Sequence, residues 1–213
     1  MSEGVRIDRS AVIRRGRRLE GLSIAWNLVE GSVGVVAGLA VGSVSLLGFG
    51  IDSFVEVASG AALLWRISVD ADQPARARNE KRALRIVGIC FLALAAYISY
   101  ESVGDLRWKR APEHSVPGIV LAVASLLVMP LLSRAKSRVG HALGSAAMQA
   151  DSKQSAFCAC LSAILVAGLL LNALFGWWWA DPLAAMVMVP IIAREGIEAL
   201  RCKVCDDCTP LMA

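Results

Sequence analysis

Histidine is almost absent from this sequence, which has only His114 and His141 among its 213 residues. Both lie in segments that we predict to be loops, and we find no pairing of a nucleophile with a base of the kind that covalent catalysis needs. The six cysteines are too few and too unevenly spaced for a disulfide framework. These absences argue against an enzyme and against a small disulfide-stapled domain.

Long polar stretches are also missing from the sequence. Neither the residues before Gly21 nor those after Leu200 are numerous enough for a soluble domain of normal size. The basic N-terminal stretch is not followed by the short apolar region and cleavage site of a secretory signal peptide. We therefore expect one domain at 21–200, with a basic cytoplasmic arm at 1–20 and a short cysteine-containing cytoplasmic tail at 201–213.

Apolar residues are abundant, at 56% of the chain. The runs Gly31–Ile51 and Ala156–Ala180 carry no charged residue, and each exceeds the roughly 20 residues that cross a bilayer. The sequence therefore predicts an all-α, polytopic membrane protein with six transmembrane helices in a bundle. We expect these helices at about 21–42, 44–66, 83–103, 116–132, 143–174 and 181–200.

Two features predict how the helices connect and pack. The apolar stretch from Gly21 to Trp65 is too long for one span at about 1.5 Å per residue, so we predict a turn near Gly42–Ser43. Gly34 and Gly38 begin a row of small residues that permits close packing of two helices. Polar loops are expected at 66–82, 101–115 and 133–141.

Lysine and arginine are distributed unequally between the two ends of the predicted helices. They are concentrated in the arm, in the loops at 66–82 and 133–141 and in the tail, whereas the opposite side has only Arg107, Lys109 and Arg110. Because positive charge accumulates on the cytoplasmic side of membrane proteins, both termini are predicted to be cytoplasmic. We expect an integral protein of the lipid bilayer in a bacterial inner membrane. Basic residues that lie at span ends do not indicate nucleic-acid binding.

Two carboxylates interrupt the predicted second helix. Asp52 and Glu56 are four residues apart, so a helix stacks them on one face about one turn apart. A charged residue at the centre of a bilayer costs roughly 2.5–3.5 kcal/mol and usually faces a cavity, an ion path or a partner. The pair indicates a cation site. The alternative is that the helix ends early and leaves both acids in water or in structural salt bridges.

The predicted fifth helix opens with a second polar group, in the segment AMQADSKQSAFC. Asp151, Gln154 and Cys158 are spaced by three and four residues, so they share one helix face. In antiparallel helices that lie side by side, Gln154 and Cys158 reach about the depth of Asp52 and Glu56. Two carboxylates, an amide oxygen and a thiolate suit zinc and its neighbours better than magnesium or calcium.

Together these motifs resemble those of the cation diffusion facilitator, or cation efflux, transporters. The D-x3-E of Asp52 and Glu56 and the A-D-x-x-Q-x3-C from Ala150 to Cys158 match the family's pattern. The six-helix plan with both termini inside matches as well, as does the Asp181–Pro182 pair that opens the last helix. The resemblance covers about Gly21 to Leu200.

The resemblance implies that Asp52, Glu56, Gln154 and Cys158 bind a transported divalent metal, most often zinc, and that exchange for protons drives its export. Asp151 is a further candidate ligand. No cofactor is implied, because the metal is the substrate. The chain resembles the short members that lack a soluble C-terminal domain more closely than the dimeric prototypes, and a homodimer stays open as its assembly.

At three ligand positions the chain departs from the family's pattern. Glu56 and Cys158 stand where aspartate is usual, and Gln154 stands where histidine or aspartate is usual. An amide and a thiol in place of harder ligands are expected to alter both the affinity and the choice of metal.

Other polar residues have two interpretations each. Asn27 and Glu30 could support the site or carry protons together with Lys153, or Glu30 and Lys153 could simply form a salt bridge. The tail could capture a soft metal at the cytoplasmic entrance, or it could be unstructured, since three thiols alone do not close a tetrahedral site. Its thiols are Cys202, Cys205 and Cys208.

Two functions are compatible with these features. The first is a secondary transporter for a divalent cation, in which metal and protons compete for buried acids. The second is a non-transporting membrane protein that binds or senses metal. Metal flux into vesicles would separate them.

Overall fold

The first two helices are joined by a two-residue connection at the predicted position. α1 (Arg9–Val41) is followed by Gly42, whose φ of 69° lies in the left-handed region that glycine adopts without steric cost, and α2 (Val44–Ser68) begins directly after Ser43. The two helices approach closely along the predicted glycine row. A Cβ added to Gly38 would lie 2.7 Å from the backbone nitrogen of Leu47, so only glycine permits this contact.

Four further helices complete the fold, namely α3 (Gln73–Trp108), α4 (Val116–Leu143), α5 (Ala146–Phe175) and α6 (Ala180–Leu200). This computed structural model describes residues 9–68, 73–110, 112–113 and 115–201, and the described chain contains no strand. The prediction of an all-α fold is therefore confirmed.

α2 lies at the centre of the bundle, because it contacts α1, α3, α5 and α6. The closest helix pairs are α1 with α2, α3 with α6 and α4 with α5. Five of the helices contribute large, fully buried apolar side chains to one core cluster, which includes Phe49, Ile98, Met129, Leu165 and Met188. Polar side chains on α2 that point into this core are consequently surrounded by protein.

Five helices are long and apolar enough to cross a membrane: Ser10–Val41, Val44–Ala61, Gly88–Trp108, Val116–Leu143 and Asp151–Phe175. α6 is long enough but more charged, because Asp181 lies at its start and Arg194, Glu195 and Glu198 lie near its end. The chain is thus a membrane protein with several apolar helices, as the composition predicts.

The predicted ends of three helices are wrong, and each helix is longer than expected. α1 is already helical at Arg9, α3 begins at Gln73 rather than at 83 and ends at Trp108 rather than at 103, and α4 continues past 132 to Leu143. Pro74 does not mark a loop, because it lies in the first turn of α3, where proline's missing N–H is not needed. Charged residues do not mark the ends of these helices, because most of them are good helix formers.

The basic loop predicted at 133–141 is part of α4. The true turn lies at Gly144, which has a φ of 61°, and Ser145 then caps α5 by accepting a hydrogen bond from the backbone N–H of Met148. This correction matters for function, because it places Lys136 inside the bundle instead of in water.

Candidate metal centre

The two carboxylates of α2 are buried inside the bundle. Asp52 and Glu56 are each only 6% exposed, and α2 continues for three turns beyond Glu56 to Ser68. The alternative that the helix ends early and exposes both acids is therefore wrong. Burial of two acids on one face of the central helix provides the oxygen donors that a hard or borderline cation prefers.

α1 supplies the direct partner of Glu56. The Asn27 side-chain amide donates a 2.7 Å hydrogen bond to one carboxylate oxygen of Glu56, and both residues are buried. The other oxygen of Glu56 and the amide oxygen of Asn27 have no hydrogen-bond partner among the described residues. Two buried oxygens without a donor therefore lie on one contact between α1 and α2, and such atoms are costly unless a proton or a cation satisfies them.

Glu30 lies one turn further along α1 and is completely buried. It accepts a 2.5 Å hydrogen bond from the Ser125 hydroxyl of α4, and Ser162 of α5 in turn donates a 3.1 Å hydrogen bond to Ser125. The second carboxylate oxygen of Glu30 has no partner in the described part of the chain. The salt bridge considered between Glu30 and Lys153 does not form there, because the Lys153 side chain is exposed.

α5 places its predicted residues unequally. Cys158 is buried and lies near enough to the carboxyls of Glu56, Glu30 and Asp52 to interact with them electrostatically. Gln154 is only half-buried, and its amide oxygen accepts a 3.3 Å hydrogen bond from Ser59, on the turn of α2 that follows Glu56. Cys158 therefore shares the buried interior with the α2 acids, while Gln154 is hydrogen-bonded to their helix one turn away.

Asp151 forms an ion pair with Lys136 of α4. The Lys136 ammonium is 2.6 Å from a carboxylate oxygen of Asp151 and 3.3 Å from one of Glu20, and it donates a 2.8 Å hydrogen bond to the hydroxyl of Ser23. The Lys136 residue is only 1% exposed. One cation therefore links α1, α4 and α5 beneath the candidate site.

The contribution of Lys136 and Glu20 was missed in the sequence. Lys136 stands in a run with Arg134 and Arg138, and Glu20 stands at the end of a basic arm, so both were assigned to polar segments. A usable signal was the spacing of α4, in which Met129 and Lys136 lie seven residues apart on one buried face.

The described residues do not form a preassembled metal shell. Within the ranges that the structure describes, no three histidine, cysteine, aspartate or glutamate side chains meet closely enough to surround one ion. The tail cysteines Cys202, Cys205 and Cys208 lie outside the described residues. Chemically, the arrangement offers buried acids on α2 and a buried thiol on α5 as separate donors.

At the opposite end of α2, Asp181 has a structural contact. Its carboxylate accepts hydrogen bonds from the hydroxyls of Ser43 and Ser45, the first at 2.6 Å, and from the backbone N–H of Val44 at 3.1 Å. The Asp181–Pro182 pair that opens α6 thus fastens that helix to the turn between α1 and α2.

Removal of the Lys136 ammonium should strongly destabilise the protein. In Lys136→Met, Glu20 and Asp151 remain buried without a counter-charge, and the expected loss of unfolding free energy is about 3–5 kcal/mol. Thermal unfolding in detergent micelles measures it. Arg194→Met is the matched control, since its ion pair with Glu198 is exposed, and it should leave the unfolding temperature nearly unchanged.

Neutralising the acids as well separates charge from packing. The triple variant Glu20→Gln, Lys136→Met, Asp151→Asn should recover part of the stability lost in Lys136→Met, because no unpaired charge remains. A triple variant no more stable than Lys136→Met would contradict the charge explanation.

Comparison with known proteins gives the family of this chain. The model of the cation efflux transmembrane domain matches residues 22–204. The chain is 28% identical over 194 residues to an uncharacterised transporter of Synechocystis sp. The aligned region covers 88% of this chain and 63% of that protein. It is 26% identical over 183 residues to the cation-efflux pump FieF of Shewanella oneidensis. The aligned region covers 83% of this chain and 61% of the pump.

A third relative covers less of the chain. It is the cadmium, cobalt and zinc/H(+)-K(+) antiporter of Bacillus velezensis, 28% identical over 130 residues, which covers 58% of this chain and 39% of the antiporter. The chain thus spans less than two thirds of the length of these curated relatives. Because the family model matches α2 to α6 and most of α1, the chain belongs to the cation efflux family of membrane transporters.

Proposed function

We propose that this protein exports zinc or a similar divalent transition metal from the cytoplasm in exchange for protons. Family membership supports transport of a metal cation, and two relatives, a cation-efflux pump and a cadmium, cobalt and zinc antiporter, favour this substrate class. The observation that carries the proposal is the buried acid pair of the central helix, in which Glu56 has a carboxylate oxygen without a partner.

The metal would be bound first by Asp52 and Glu56 from α2 and by Cys158 from α5. Two oxygens and a thiolate form a mixed donor set that suits zinc and cadmium. Gln154 could join through the second lone pair of its amide oxygen, since that oxygen accepts only one hydrogen bond, from Ser59. Asp151 could join only when Lys136 releases it, so we rank it behind the other four.

Proton exchange follows from the same burial. A carboxylic acid or thiol surrounded by apolar atoms holds its proton, since the charged form loses its hydration. A divalent metal binds only the deprotonated ligands, so loading of the metal releases protons and release of the metal takes them up. Metal and protons therefore alternate on Asp52, Glu56 and Cys158 as the site opens to one side and then to the other.

Asn27 and Glu30 would act as supporting residues from α1. The amide of Asn27 already fixes the orientation of Glu56, which is how neighbouring groups tune a metal ligand. Glu30 connects through Ser125 and Ser162 to α4 and α5, so it offers a buried acid that could take up a proton close to the site.

For the orientation we propose that all six helices cross a bacterial inner membrane and that both chain ends are cytoplasmic. Burial of Lys136 removes one positive charge from the cytoplasmic count, yet the arm, the start of α3, and the end of α4 remain basic. A reporter fused ahead of Met1 should be inaccessible from outside the cell. Labelling of that reporter from outside in intact cells would contradict the proposed topology and, with it, the proposed direction of export.

Asp52→Asn should abolish transport and leave insertion intact, because the change removes an ionisable metal ligand without altering size. The measurement is zinc flux in proteoliposomes that contain a pH-sensitive dye, so that metal and proton movements are recorded together. Glu198→Gln is the control, since Glu198 lies at the end of α6 in an exposed ion pair. Wild-type flux by Asp52→Asn would disprove this site, whereas zinc binding without flux in the unaltered protein would favour a binding or sensing role.

Exchange of Cys158 should change the order of metals and not merely the rate. Cys158→Ser removes the soft ligand at nearly constant size and should weaken cadmium transport by about tenfold more than cobalt transport. Cys158→Asp supplies a harder ligand and should move the preference toward manganese and cobalt. Competition among these metals in proteoliposomes gives the order.

Cys160→Ser controls for loss of a thiol from α5. Cys160 is exposed on the bundle surface, about 200° around the helix from Cys158, and its exchange should leave the order unchanged. The same metal order in all three variants would instead show that Cys158 only packs against its neighbours.

A further inference from the structure

A cavity of about 400 Å³ lies between α4 and α5, and it is separate from the buried acids of α2. Its lining is basic, with Arg134 and Arg138 from α4 and Lys153 from α5, and serine side chains fill most of the remaining wall. No carboxylate of the described chain lines it. Lys153, which the sequence placed with the metal site, therefore belongs to a different surface.

Among the described residues, no carboxylate pairs with Arg134, Arg138 or Lys153, although Lys136 on the same stretch of α4 pairs with two. Like charges that share a concave surface repel one another, and an anion placed between them is bound by charge-assisted hydrogen bonds. The chemistry points to a phosphate group.

An apolar track leads away from these cations along the bundle surface. On α4 the exposed face continues from Arg138 and Arg134 to Leu131 and Leu127, which are 64% and 65% exposed, and then to Val120. Beside it, α5 contributes Ala156 to the lining of the cavity, whereas Cys160, one turn further along, lines a separate groove with Pro190 and Arg194 of α6. The face from Leu131 to Val120 is about 16 Å long at 1.5 Å per residue, close to half of the roughly 30 Å hydrocarbon core.

We propose that this cleft binds one anionic glycerophospholipid such as phosphatidylglycerol. Its phosphate lies among Arg134, Arg138 and Lys153, and an acyl chain follows the exposed track on α4 from Leu131 toward Val120. A free phosphate ion would satisfy the cations but would leave the track unused, which is why the lipid is the occupant. Basic pockets between membrane helices on the cytoplasmic side bind headgroups of this kind. The binding is independent of metal transport.

Native mass spectrometry of the full chain in detergent tests the proposal, with phosphatidylglycerol and phosphatidylcholine added in turn. The protein should retain one phosphatidylglycerol at concentrations where phosphatidylcholine is lost. Arg134→Gln, Arg138→Gln, Lys153→Gln should bind it about 100-fold more weakly. The matched control is Arg107→Gln, Lys109→Gln, Arg110→Gln, which removes three cations that lie beyond the apolar part of α3, and it should bind like the unaltered protein.

A second variant fills the cavity without removing charge. Ala156 lines the cavity, so Ala156→Trp should expel phosphatidylglycerol, while Lys153 and both arginines stay in place. If the triple variant does not fold, phosphatidylglycerol binding by Ala156→Trp still tests the proposal. Equal binding of the two lipids, displacement of phosphatidylglycerol by millimolar inorganic phosphate, or unchanged binding by Ala156→Trp would each overturn the proposal, and the second would assign the cavity to free phosphate.

Discussion

The ammonium of Lys136 makes it possible for this bundle to bury its charges. An isolated carboxylate in a low-dielectric interior is strongly disfavoured, and a buried ion pair is retained only when its geometry satisfies both partners. Lys136 reaches Asp151 and Glu20 at 2.6 and 3.3 Å and is itself surrounded by serine hydroxyls. Three helices meet at that cation. The hydrogen bonds that Asn27 and Ser125 donate to Glu56 and Glu30 depend on how these helices align.

α1 is more than a membrane anchor in this arrangement. Its glycines allow close approach to α2, where Asn27 contacts Glu56, and on its side toward α4 Glu30 contacts Ser125. Glu30 and Glu56 are thus each bonded to a neighbouring helix. A family pattern that names only residues of α2 and α5 leaves out this third helix, which in the present protein touches the α2 acid directly.

Local chemistry determined which parts of the fold could be predicted. Gly42 marked the first turn because a left-handed residue favours glycine, and the four-residue spacing of Asp52 and Glu56 placed both acids on one face of a long apolar helix. The ends of α1, α3 and α4 could not be predicted from charge, since charged residues are good helix formers. The contact between Lys136 and Glu20 depends on how distant helices pack, and nothing in either segment alone specifies it.

The bond from Asp181 to the first turn of α2 has a mechanical consequence. It joins α6 to the first turn of α2, so a tilt of α2 about this contact would have its fulcrum near Ser45. Asp52 is about 10 Å and Glu56 about 16 Å along the helix from that point, at 1.5 Å per residue. Any such tilt therefore displaces Glu56 about 1.6 times as far as Asp52, so the α2 acid that touches α1 is the one with the longer lever arm.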